Sequence, residues 1–163
     1  MWGIALMAVL LALGSAWAHQ AQRGETAGRQ QAAAITAEEM AVYRAAVARY
    51  FGVHDAERDT SVATATLRAE GMLRDWSTLP ADRWANYRAA DGTIYIYAAA
   101  RPERDLGTAV ATLAQGSLLA GVYRAGAATL YSPVHGDTGV PLAPLLARRA
   151  VPADSPVWLA AAQ

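Results

Sequence analysis

Two short stretches of this chain collect side chains able to move protons or hold a metal. The first is His54-Asp55-Ala-Glu57-Arg58-Asp59, an imidazole and three carboxylates in close succession. The second is Pro133-Val-His135-Gly136-Asp137-Thr-Gly139, where His135 and Asp137 have the types of a general base and the carboxylate that orients it. Neither comes with the rest of a working site. The first reads as a solvated turn between helices. In the second, Gly136 and Gly139 make a tightly turning loop the better reading. Asp75, Asp82 and Asp91 have no spacing that sets two carboxylates on one face. There is no Gly-rich phosphate loop and no nucleophile elbow. With no Cys there is no thiolate nucleophile, zinc–thiolate site or disulfide framework. The residues therefore point to no catalytic, cofactor-binding or metal-binding residue, and to a protein that is not an enzyme.

The aromatic residues carry the alternative. Thr93-Ile94-Tyr95-Ile96-Tyr97 alternates β-branched and aromatic residues, the pattern of a strand after the Asp91-Gly92 turn. Period two sets Ile94 and Ile96 on one side and Tyr95 and Tyr97 on the other. Aliphatic Ile buries completely at less cost than a phenol that needs a partner, so the Ile side is expected in the core. Tyr95 and Tyr97, with Trp76 and Trp84, are the candidate interaction surface.

The elements around that strand follow from pattern. Thr36-Ala-Glu-Glu39 fits a capping box opening a helix to about Tyr50, with Met40, Tyr43, Val47, Tyr50 and Phe51 as its apolar stripe and Gly52 as its stop. Thr60 or Ser61 is placed to cap a short helix through Leu67. Pro80 reads as a turn opening a short helical piece. Residues 102–115 read as a helix with Leu106, Val110 and Leu113 inward, ended by Gly116. Strands are expected over 118–123, 128–131 and 157–159. A long irregular crossover, rich in Pro and Gly, precedes the last of them. The fold class is α+β, a small antiparallel or mixed sheet packed with helices.

Ahead of all this lies an uncharged apolar run, residues 2–18, with Ala16-Trp17-Ala18 at its end. At ~1.5 Å per residue it spans roughly 25 Å as a helix, short for a hydrocarbon core of about 30 Å. Trp2 and Trp17 bracket it as interfacial anchors. The expected anchor residues are Trp2, Ile4, Leu6, Val9, Leu10, Leu11, Leu13 and Trp17. No Lys or Arg precedes the run, which favours a retained transmembrane helix over a signal peptide cleaved after Ala18. Arg23 and Arg29 follow it, and taken alone they favour a cytoplasmic C-terminal side. Residues 19–35 read as a polar linker, so the expected organisation is anchor 1–18, linker 19–35 and α+β domain 36–163. Acidic and basic residues balance at 14 each, so no global field points to nucleic acid or acidic lipid.

Taken in order, Met40-Ala-Val-Tyr-Arg44, Trp76-Ser-Thr-Leu-Pro80, Asp91-Gly-Thr-Ile-Tyr-Ile-Tyr97, Leu119-Ala-Gly-Val-Tyr123 and Ser155-Pro-Val-Trp158 resemble the PilM family of thin, conjugative type IV pilus systems. The resemblance spans almost the whole chain. It implies an inner-membrane component of a pilus or conjugation apparatus, with a periplasmic domain that contacts other pilus or secretion-system proteins. It implies no catalytic residue and no cofactor. A minor pilin is the second reading, although the basic leader of pilins is missing. A periplasmic hydrolase or ligand-binding protein released after Ala18 is the third.

Overall fold

In a computed structural model of the chain, backbone is described for residues 2–74 and 78–162, and side chains for residues 24–74 and 78–162. The first helix, α1 (Trp2–Val53), contributes to two compact units, residues 1–32 and 33–163. The first unit is helical, with an exposed Arg29–Glu25 pair one turn apart. The side chains of the expected anchor, Trp2 to Trp17, lie outside the described residues. Among those described, no helix is long and apolar enough to cross a membrane.

The stretch read as a linker is helical throughout. Gln30-Gln-Ala-Ala-Ala carries strong helix formers into Ile35 with no Gly or Pro to break it. Thr36 is therefore a helix-interior residue, and the capping box expected there does not form, because a capping residue must itself leave helical geometry. The rest of α1 buries Met40, Tyr43, Val47, Tyr50 and Phe51, as their spacing requires.

The second unit continues with α2 (Thr64–Ala69), β1 (Trp84–Arg88), β2 (Ile94–Ala98), α3 (Gly107–Leu113), β3 (Ala120–Tyr123), β4 (Thr129–Ser132), β5 (Gly136–Pro141), α4 (Ala143–Leu146) and β6 (Ser155–Ala160). All six strands form one antiparallel sheet in the order β1-β2-β6-β3-β4-β5, so the last strand to be made lies inside it. Every residue of β6 is buried.

Several expectations change. The cap of α2 is Ala63, with no side-chain bond, rather than Thr60 or Ser61. Those residues instead run beside β1, where Thr60 exchanges both backbone bonds with Arg88. Residues 81–83 make the turn expected after Pro80, but it opens the strand Trp84–Arg88 and not a short helical piece. The helix read over 102–115 shortens to α3, and Leu113 is exposed. The expected crossover contains β5 and α4.

The sheet is covered on both faces. On one, Trp84, Ile94, Ile96, Ala98, Ala120 and Trp158 join the stripe of α1 and Leu106 and Val110. On the other, Tyr87, Tyr95, Tyr97, Val157 and Leu159 close against Leu130, Leu142 and Leu145.

Both borders of the sheet carry local blocks to further pairing. Along β1, the Asn86 side-chain amide accepts from Val62 N–H at 2.9 Å and donates to Val62 C=O at 2.7 Å, next to the Thr60–Arg88 bridge. Along β5, the N–H of Gly139 goes to Asp137 Oδ1 and that of Val140 to Thr138 Oγ1, while Pro141 has none. The bulge opposite Thr129 and Tyr131 distorts the same border further.

Candidate functional site

The structure separates the groups that sequence brought together. His54 stacks on Tyr50 at 4.1 Å, and its Nδ1 lies 3.0 Å from Tyr50 O. Asp55 accepts from Arg88 at 2.8 Å and also pairs with Arg58. Glu57 accepts from Tyr50 Oη, and Asp59 from Tyr87 Oη at 2.8 Å. His54 and Glu57 thus both serve Tyr50, Asp55 serves Arg88 and Arg58, and Asp59 serves Tyr87; among the described residues no cluster of His, Asp or Glu is placed to hold a metal. Bonds from Arg88 and Arg58 hold the Asp55 carboxyl below its ordinary value.

His135 and Asp137 fare similarly. His135 Nε2 lies 2.7 Å from Gly116 O, across the chain from its expected partner. The N–H of Gly139 and the hydroxyl of Thr129 keep Asp137 below the usual carboxylate range.

The expected aromatic surface is not open either. Tyr95 and Tyr97 are 2% and 5% exposed, because the 142–145 region covers the side of the sheet that was expected to be available. Tyr95 Oη donates to Pro141 O at 3.2 Å, which gives the phenol the partner its burial demands. Burial pushes both phenols up. Trp84 is 3% exposed and belongs to the α1-facing core. Trp76 lies outside the described residues.

Among the described residues, an accessible groove runs along the connection from β2 to α3. Its larger part is a cavity of about 640 Å³ between Arg101–Asp105 with Thr108 on one side and Val122, Arg124, Tyr131 and Pro133 on the other. A second cavity of about 410 Å³, lined by Pro80, Arg83, Trp84 and Ala100 among others, shares Arg101–Arg104 with it. The sheet makes the floor: Val122 and Tyr131 are directly opposed on β3 and β4. The Arg124 guanidinium stacks over Tyr131, 3.1 Å from the ring centroid. On the wall, Arg101 pairs with Asp154 at 3.0 Å, and Asp105 Oδ1 accepts from Gly107 N at 2.8 Å. Sequence placed 102–105 within a helix, which hid the groove. The one legible signal was Pro102 beside four charged residues, Arg101, Glu103, Arg104 and Asp105. No reacting centre is assembled in the groove. It is suited to holding a polar chain against a small apolar floor.

A family model described as PilM matches residues 7–159, nearly the whole chain. No curated protein and no solved structure gives a match.

Proposed function

The chain belongs to the PilM family of type IV pilus biogenesis, and from that premise we propose that it is an inner-membrane component of the pilus or conjugation apparatus, working by protein–protein contact without catalysis. Residues 2–18 anchor it, and the domain that follows is periplasmic. The observation that carries this reading is the family match across the sheet and its helices alike. The Trp-bracketed apolar run supports the anchor. The engagement of His54, Asp55, His135 and Asp137 in structural bonds supports a role without chemistry. An open groove on a sheet locally blocked at its borders supports docking.

Deletion of the gene should abolish piliation or pilus-dependent transfer, and the full chain should restore it. A deletion strain with normal pili removes the reading altogether. Membrane extraction at high pH and a C-terminal alkaline phosphatase fusion test the location. The protein should stay in the pellet and the fusion should be active. A mature chain beginning at His19 would exclude the anchor.

A further inference from the structure

We propose that the groove between the Arg101–Asp105 connection and the β3–β4 floor holds a carboxylate-bearing extended segment of a partner protein, gripped by Arg104 and Arg124; this rests on the docking role proposed above. The charges of the cavity are unequally used. Arg101 is neutralised by Asp154, and Asp105 is occupied with Gly107 N–H. Among the described residues, Arg104 and Arg124 have no carboxylate partner. Glu103 and Asp105 have no cationic partner there either, so the lining is balanced in charge and the unpaired fork of Arg124, rather than a net field, is what selects a carboxylate.

Arg124 is also preorganised. Its guanidinium carbon lies 3.1 Å from the centre of the Tyr131 ring, and a guanidinium held on a ring face keeps its in-plane N–H donors for the two parallel bonds that a carboxylate accepts. Stacking restricts the side chain before any partner arrives, so less entropy is lost on binding. Beside it, Val122 and Pro133 offer a small apolar strip next to the charge. A segment with an acidic residue adjoining a small apolar one complements both features. The local blocks at the borders of the sheet favour side-chain recognition in the groove over strand addition.

The full chain in detergent is titrated against fluorescein-labelled Gly-Ser-Glu-Val-Glu-Ser-Gly and its Gln-Val-Gln counterpart, read by fluorescence polarisation. The glutamate peptide should bind about tenfold more tightly, and salt should weaken it. Arg104→Gln with Arg124→Gln should erase the difference between peptides. Both side chains are exposed, so an unchanged thermal melt shows that the variant has folded. Arg124→Lys should keep part of the preference, as a charge without the fork. Equal binding of the two peptides, no binding of either, or a preference that survives in the double variant overturns the inference. Stronger competition by inorganic phosphate than by acetate at equal ionic strength overturns it in favour of a phosphate ligand. A negative result leaves the pilus role standing, because piliation of the deletion strain decides that separately.

Discussion

Asn86 holds an inward position of β1 that an apolar residue would ordinarily take, because its amide serves Val62 in both directions and donates to Tyr43 Oη at 2.7 Å. Replacing it with Ala leaves the two backbone groups of Val62 without this partner and takes one of two hydrogen-bond partners from the Tyr43 phenol, which Thr64 also bonds. Asn86→Ala should cost about 2–6 kcal/mol, at ~1–3 kcal/mol for each of the two unsatisfied backbone groups, measured by urea unfolding. A loss below about 1 kcal/mol would mean that water replaces the amide. Two positions on, Arg88 is 1% exposed and donates to Phe51 O and His54 O at the end of α1, at 3.1 and 3.2 Å, and to Asp55. A cation there also complements the negative end of the helix. Arg88→Met should destabilise by roughly 2–6 kcal/mol, at ~1–3 kcal/mol for each of the Phe51 and His54 carbonyls left without this donor. The Asp55 partner is exposed, and its role shows in pH dependence. Its folded value lies below its unfolded one, so its contribution is complete above the ordinary carboxylate value and fades as pH falls through the depressed one. Asp55→Asn should flatten the acid limb of stability below about pH 4, and an unchanged limb would assign it to other carboxylates. None of these roles could be read from sequence. Asn and Arg in a five-residue segment disguise a strand, and the partners lie 24 to 43 residues away.

At the scale of elements, the strand from Ile94 was plain in sequence, and so was the opposition of its two faces. Alternation tells which residues share a face, but it does not tell whether the second face is covered. The Leu142 and Leu145 cover comes from a short helix in a Pro-rich stretch, too brief to show a period. Ile96→Ala and Tyr97→Ala should therefore both destabilise strongly, by about 2–5 and 3–5 kcal/mol. Thermal melts in which Tyr97→Ala is nearly silent would show that the tyrosine face opens in solution. β5 was missed for a related reason: Gly136-Asp-Thr-Gly-Val-Pro is turn chemistry by composition, and only pairing with β4 makes it a strand. At Gly121 a Cβ would meet the Tyr131 carbonyl of the neighbouring strand. Gly121→Ala should push β3 and β4 apart and cost about 1–3 kcal/mol, visible as early hydrogen exchange of the β3–β4 amides. Exchange like that of the unmodified chain would show the bulge absorbing the added methyl.

For the whole molecule, the α+β class and family resemblance were accessible because they rest on several segments in order rather than on any one. The groove was not, since it is assembled from residues 101–105, 122–124 and 131–133, which only the strand order brings together. The borders of the sheet give a test at this scale. Pro141→Thr restores an N–H to the β5 border, and Asp137→Ala releases that of Gly139. The double variant should self-associate at concentrations where the unmodified chain does not, by sedimentation velocity. Identical sedimentation would locate the protection elsewhere.

The blocked borders also bear on how many copies a cell requires. A filament lengthened by strand pairing consumes one protomer for each step of growth, and every protomer must present a fresh border to the next. A domain whose Val62 backbone and Gly139 N–H are already bonded offers a poor border for such a repeating link. Its abundance should follow the number of export machines and stay constant as the fibres they make grow longer.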